Sequence, residues 1–214
     1  MGVPVLVLGA SGSGKSTSMR NMGDDVGVFN VASKALPFRR KLKVINTNDY
    51  NKICRVLTEN SLKKYVIDDS QYLMAFEQLA RAKETGFQKY TDMGLHFANL
   101  VNTAINQTTH DTIVYFLHHV EKDENGFTKA KTVGKLIDNW ITLEGLFPIV
   151  LLCWTDGKQH KFITQSDGFT TAKSPMDMFS TEIDNDLAFV DKTIREYYEF
   201  ENNESEEAIY EDAK

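Results

Sequence analysis

The sequence predicts an α/β fold, a mostly parallel sheet with helices on both faces. Three observations predict it. Runs such as VPVLVLG and TIVYFL are almost continuously apolar, as strands buried on both faces of a parallel sheet must be. Amphipathic stretches separate these runs, and that alternation builds layered α/β domains. The first run passes straight into a glycine-rich turn and then into STSMRNM, which reads as the start of a helix.

Taken in order, the apolar runs place strands at Val3–Leu8, Val26–Asn30, Lys43–Ile45, Tyr65–Asp68, Ile113–Leu117 and Ile149–Trp154. The last is expected to pair with Lys161–Thr164 as a C-terminal hairpin, because Asp156-Gly157 between them is a strong hairpin-turn signal. Helices are expected at Lys15–Met22, Tyr50–Asn60, Gln71–Ala82, Met93–Gln107 and Asn185–Phe200. Two connections, Lys83–Thr91 and Val120–Asn139, read as loops. The second is long enough, with Gly126 and Gly134 inside it, to suggest a functional segment.

Length and composition set bounds. A chain of 214 residues, 42% hydrophobic and 25% charged, suits one domain over residues 1–200. The longest apolar run, Leu146–Trp154, is broken by Pro148 and falls short of a membrane span. The N-terminal run leads into a motif and reads as a strand, not a signal peptide. Cys54 and Cys153 lie far apart, so a reduced cytoplasmic setting without disulfides is expected. The net charge of −6 is unevenly spread: Ile183–Lys214 holds 11 acidic and three basic residues, leaving 19 acidic and 21 basic before it. The near-neutral body leaves room for a nucleic-acid face, and the acidic end, residues 201–214, reads as a disordered tail.

The chemistry concentrates in Gly9-Ala10-Ser11-Gly12-Ser13-Gly14-Lys15-Ser16, followed by Thr17. This is the G-x-x-x-x-G-K-[ST] pattern of a P-loop, in the strand–turn–helix context that the pattern requires. Glycines let successive backbone N–H groups wrap a phosphate chain. Lys15 is expected to reach the β- and γ-phosphates of ATP, and the Ser16 hydroxyl to ligate Mg2+. Tyr65-Val66-Ile67-Asp68-Asp69 is an apolar strand ending in two carboxylates. Asp68 is the expected second holder of the metal, and Asp69 the group that orients or deprotonates the attacking water. His118 and His119, at the tip of the Ile113–Leu117 strand, are candidate sensors of the γ-phosphate. Adjacent histidines without partner ligands lack the spacing of a zinc site.

Lys15 and Asp68 are separated by 53 residues with two strand candidates between, room for added strands as in RecA and AAA-type ATPases. The prediction is therefore a three-layer P-loop NTPase with a RecA-like sheet. Small-molecule or nucleoside kinases are the main alternative, but the six arginines include no pair in the late loop where a phosphate-clamping lid would lie. A third possibility is a nucleotide-dependent switch or assembly protein. The Asn-Lys-x-Asp signature of GTPases is absent.

The segments GASGSGKST, NVASKALPFRRKLKVI, YVIDDSQYLM, HHVEKDENGFTKAKTVGKLID, FITQSDGFTTAKSPMDMF and NDLAFVDKTIREYY cover nearly all of the chain before its acidic end. In them the sequence resembles phage-encoded RecA-like, AAA-type ATPases related to Sak-type single-strand annealing proteins. The resemblance implies ATP as nucleotide, a homo-oligomer, and a role in phage DNA recombination, annealing or replication. It departs from bacterial RecA where Thr47, Asn48 and Asp49 stand in the region of the catalytic glutamate, so the water-activating role falls on Asp69. In RecA-like proteins the two loops line the DNA channel. Lys83, Lys89 and Tyr90, with Phe87, and then Lys122 and Lys129 are thus candidate contacts to single-stranded DNA. Lys131 and Lys135 are candidates for a cation supplied to the neighbouring subunit's site, as is Lys173. A single-strand-binding protein is a possible partner, and the acidic tail a possible competitor with DNA.

Overall fold

The structure, a computed structural model, describes residues 1–133 and 142–200. Among these residues nine strands form one mixed, mostly parallel sheet. Strand β1 (Val3–Gly9) runs through its middle. Beside it lie β5 (Ile113–Lys122) and β7 (Ile149–Thr155), both parallel to it. Outside β5 follow β4 (Lys64–Asp68), β2 (Val26–Asn30) and β3 (Lys43–Asn46), all parallel. On the other flank β8 (His160–Ile163) and β9 (Glu182–Asp184) add antiparallel pairings. The order is β3-β2-β4-β5-β1-β7-β8-β9, with β6 (Thr128–Ala130) paired antiparallel to the far end of β5. The interval between Lys15 and Asp68 is thus filled by β2 and β3, and β5 inserts between β1 and β4.

The period of two along each strand sorts side chains to two cores. Leu6, Leu8, Val114 and Phe116 face one side, where α1 (Tyr50–Thr58), α2 (Gln71–Ala80) and α3 (Gln88–Asn106) add Ile53, Leu73, Phe97 and Leu100. Val5, Val7, Tyr115 and Leu117 face the other, covered by α4 (Leu187–Tyr197) through Leu187, Val190 and Ile194, and by Met19. Three layers result, helix, sheet and helix, with every central strand buried on both faces.

Four expectations need adjustment. The helix expected over Lys15–Met22 is a six-residue 3-10 helix, Ser16–Asn21. Ser18 turns its hydroxyl back on the Lys15 carbonyl and splits its N–H between the Gly14 and Lys15 carbonyls, and Met22 is already extended. The expected loop Lys83–Thr91 is shorter, because α3 starts at Gln88, where Gln88 Nε2 donates to Asp92 at 2.9 Å. The expected loop Val120–Asn139 begins as a β-hairpin. Asp123 accepts from the N–H groups of Asn125 and Phe127 at 2.9 Å each, and Gly126 takes φ +80°, closing the turn between β5 and β6. Strand β9 was not anticipated. The C-terminal hairpin forms as expected: β7 and β8 pair across Asp156-Gly157, where Asp156 accepts from Lys158 and Gln159 N–H at 2.8 Å. Residues 201–214, with the expected tail, lie outside the described residues, as do Gly134 and Lys135.

Candidate functional site

The glycine-rich loop leaves β1 at the carboxyl end of the sheet, the edge where open α/β sheets bind ligands. Gly12 and Gly14 have φ of +79° and +99°, a backbone that other residues rarely adopt. Ser13 is fastened inward, its N–H and hydroxyl both donating to the Ala10 carbonyl, at 3.2 and 2.8 Å. Lys15 is buried beneath the loop, and its ammonium donates to the carbonyls of Gly9 (2.8 Å) and Ala10 (3.0 Å). Burial lowers its pKa from the ordinary lysine value, while the Cys153, Asp69 and Asp68 side chains act the other way. The 3-10 helix is latched to the start of α4: Arg20 donates to the Asn185 carbonyl at 2.6 Å, and Asn21 to Asp186 at 2.8 Å.

Across the cleft, Ser16 Oγ donates to Asp68 Oδ1 at 2.8 Å, joining residues 52 apart in sequence. Burial pushes the Asp68 carboxyl up to about 6, with the Ser16 hydrogen bond opposing and the Asp69 charge reinforcing the shift. Asp69 goes the other way. Its own burial raises the pKa, but hydrogen bonds from His119 (3.2 Å) and Lys34 (2.8 Å) outweigh that and hold it down at about 2. Asp69 also has φ +59°, a left-handed conformation tolerated by Asp more readily than by most residues.

The two histidines part company. Gly9 is in register with His119, which lines the cleft, donates to Asp69 and stands edge-on to Tyr72 at 5.6 Å. His118 does not line it. Fully buried against Phe97, it bonds Ser70 Oγ through Nδ1 (2.9 Å) and the Lys131 carbonyl through Nε2 (2.8 Å). A carbonyl only accepts, so Nε2 carries the proton, and burial drives the ring's pKa down to about 4. His118 is a neutral strut between the start of α2 and the segment after β6, not a member of the cleft.

Sequence reasoning missed two residues that line the cleft and one beside it. Lys34, in the loop after β2, pairs with Asp69 and lies over the Tyr72 ring at 4.9 Å. His160, the first residue of β8, donates from Nδ1 to the Ser13 carbonyl at 3.0 Å. Asn185 is buried close behind Gly14, and its Oδ1 has no hydrogen-bond partner. Local sequence patterns mark none of them.

The residues expected to meet DNA are partly engaged elsewhere. Lys89 donates to the carbonyls of Glu84 (2.8 Å) and Arg81 (3.5 Å) and sits 5.4 Å over the Tyr90 ring, while Tyr90 packs on the core. Lys129 pairs with Glu121 across the β5–β6 hairpin. Lys83, Lys122 and Phe87 are exposed. Lys131 is exposed, with its backbone pinned by both histidines.

The cleft bounded by the loop, Asp68, Asp69, Lys34, His119 and His160 has a volume of about 310 Å3, at the lower end of the range of small-molecule sites. A Mg2+-bound triphosphate fits its chemistry. The Ser16 hydroxyl and the Asp68 carboxylate meet at one point, and a cation there would favour the ionised form of a carboxyl that burial otherwise protonates. Among the described residues no three His, Cys, Asp or Glu side chains cluster as a metal site. Mg2+ asks for less from protein, taking one or two protein ligands and completing its shell with phosphate oxygens and water. No protein-family model matches the chain, and no curated protein matches it in sequence. Among the described residues no helix is long and apolar enough to cross a membrane.

Proposed function

We propose that the chain is a P-loop ATPase of the RecA-like type, binding Mg-ATP at the Gly9–Ser16 loop and acting on single-stranded DNA in recombination, annealing or replication. The observation that carries the nucleotide reading is the meeting of Ser16 and Asp68 at 2.8 Å beside Lys15. A P-loop hydroxyl and the carboxylate from a second strand end are the pair that a nucleotide-bound Mg2+ needs. Interposition of β5 between β1 and β4 agrees with the RecA-like reading.

Each residue has a task in this reading. The backbone N–H groups of residues 12–16 and the Lys15 ammonium bind the phosphates, and Ser16 and Asp68 orient the metal. When bound, Mg2+ neutralises charge on the phosphates and polarises them. Asp69, which lines the cleft and is held by His119, would orient a water toward the terminal phosphate. Lys131, and Lys135 beyond the described residues, would extend a cation to a neighbouring copy in a homo-oligomer. The DNA part rests on the resemblance, with Lys83, Phe87 and Lys122 as the exposed groups best suited to meet a strand.

One observation favours a second reading, a nucleotide-dependent switch that hydrolyses slowly. As long as the His119 and Lys34 hydrogen bonds stay in place and hold its pKa at about 2, Asp69 is a poor proton acceptor at neutral pH. The deciding experiment is ATP hydrolysis by the purified protein with and without single-stranded DNA, with Lys15→Ala as control. DNA stimulation that disappears in Lys15→Ala supports the DNA-dependent ATPase. Slow, Lys15-dependent hydrolysis indifferent to DNA supports the switch, and hydrolysis that survives Lys15→Ala sinks the site altogether.

A further inference from the structure

We infer that Lys34 is a second phosphate ligand, supplied by the chain's own β2 loop, with Asp69 as the counter-ion it exchanges for the terminal phosphate of a bound triphosphate. This rests on the nucleotide-binding reading above and adds to it a residue that tells a triphosphate from a diphosphate.

The loop that carries Lys34 is built to hold its backbone still. Asn30, buried at the end of β2, grips Lys34 on both sides: its Nδ2 donates to the Lys34 carbonyl at 2.6 Å, and its Oδ1 accepts from the Lys34 N–H at 3.2 Å. Val31 N–H donates to the Asp68 carbonyl at 3.2 Å, tying the loop to the acidic strand end, and Ser33 takes a left-handed φ of +54° to complete the turn. From this fixed root the side chain crosses to the cleft, 60% exposed, with its ammonium 2.8 Å from Asp69 Oδ2. Asp69 is buried but the ammonium stays largely in water, so the pair adds only modestly to stability, too little to account for the clamp on the Lys34 backbone.

The position fits a phosphate ligand. Lys15 and Ser16 close the cleft at the loop, where the inner phosphates lie in a P-loop. Lys34 lines the same cleft from the loop after β2, paired with Asp69 beside His119, the acidic side to which the proposed function assigns the terminal phosphate. An ammonium on a flexible stem moves between two anions without rebuilding its surroundings. A triphosphate brings a charge of higher density than the carboxylate, while a diphosphate leaves Lys34 on Asp69. A cation supplied in this way from within the chain also lessens the need for one from a neighbouring copy.

The test is equilibrium binding of Mg-ATP and Mg-ADP to the full chain and to its Lys34→Ala, Lys34→Arg and Lys15→Ala variants. Lys34→Ala should weaken Mg-ATP about ten- to a hundredfold, the effect of losing one charged contact, and change Mg-ADP less than about twofold. Lys34→Arg should restore most of the preference for ATP. Lys34→Ala should still fold and melt only slightly below the parent, because the ammonium is 60% exposed and Asp69 keeps its hydrogen bond from His119. Equal losses for both nucleotides, or no loss for either, overturn the inference, and Lys15→Ala losing both nucleotides would then leave the nucleotide site standing. A parent protein that binds neither nucleotide overturns both.

Discussion

Gly14→Ala separates backbone strain from steric contact in the glycine-rich loop. At φ +99° an added Cβ strains the backbone by about 1–2 kcal/mol. That Cβ would also stand 2.9 Å from His160 Nδ1 and 3.2 Å from Asn185 Oδ1, atoms held in place by the Ser13 carbonyl and the corner before α4. Forcing extra volume into such a site adds about 1–3 kcal/mol. Gly12→Ala is the internal control: its φ is +79°, but nothing lies within 4 Å of the added Cβ, so only the strain applies. Each kcal/mol lowers the melting temperature of a domain this size by roughly 2–4 °C. Gly14→Ala should therefore melt roughly 2–12 °C below Gly12→Ala, by calorimetry or circular dichroism. Placing both substitutions in a His160→Ala background should shrink the gap. Equal melting temperatures for the two variants would refute the packing of His160 and Asn185 against the loop.

Asp68 makes stability depend on pH. Its folded-state pKa of about 6 lies above the unfolded value, so folding favours the protonated form. That contribution is complete below about pH 4 and is lost as pH rises through about 6. Asp68→Asn, which imitates the protonated side chain, should stabilise the metal-free protein at neutral pH by on the order of 2–3 kcal/mol, and little at pH 4, in urea titrations. The same change should weaken Mg-ATP binding. Asp191, buried under Arg195 (2.9 Å), Lys64 (3.1 Å) and the Tyr115 hydroxyl (3.2 Å), is the charged keystone between α4 and the sheet. Asp191→Ala should cost about 1–3 kcal/mol in denaturant unfolding, because the buried Tyr115 hydroxyl and Arg195 lose their carboxylate, while Lys64 keeps Asp25 at 3.0 Å and Arg195 keeps the Asp111 and Lys63 carbonyls. If the protein binds single-stranded DNA, Lys122→Ala should weaken it and flatten its salt dependence, whereas Lys89→Ala should show mainly as lost stability. If the protein hydrolyses ATP as proposed, Asp69→Asn should slow it about tenfold and no more. A loss of a thousandfold would reassign Asp69 as the proton acceptor.

The parallel strands were legible because burial on both faces leaves a mark, a continuous apolar run, that a single sequence displays. The loop and the Asp pair were legible for a related reason: each is a local pattern at a strand end. Lys34 was not, because its partnership with Asp69 spans 35 residues and exists only because β2 lies beside β4, with Asn30 in register with Asp68. His160 likewise reaches Ser13 only through the β7–β8 hairpin. The parting of His118 and His119 was within reach of sequence reasoning. Neighbouring residues of a strand face opposite sides, so a strand-end cleft receives one of two adjacent histidines and the core receives the other. The short 3-10 helix and the hairpin β5–β6 hinge on side-chain hydrogen bonds by Ser18 and Asp123, which compete with regular helix and extended loop without leaving an apolar period.

Asp68 and Asp69 are adjacent and chemically alike, and their surroundings push their proton affinities apart. Asp68 has the Ser16 hydroxyl and the Asp69 backbone N–H for partners, which do not offset its deep burial, so at about 6 it gains most from a cation placed beside it. Asp69 has two N–H donors and stays ionised down to about 2. Where neighbouring acids are separated in this way, their tasks separate as well. The first suits metal binding, because a bound cation offsets the burial that otherwise protonates it. The second suits hydrogen bonding to water, because a carboxylate that stays ionised keeps lone pairs free to accept a hydrogen bond while its low proton affinity keeps the proton on the water. Asparagine keeps an acceptor oxygen at that position, which is why its replacement of Asp69 should cost a modest factor. The left-handed backbone at Asp69 makes the division possible. It turns the chain sharply after β4, so that both carboxylates reach one cleft from successive residues, an arrangement an unbroken strand forbids.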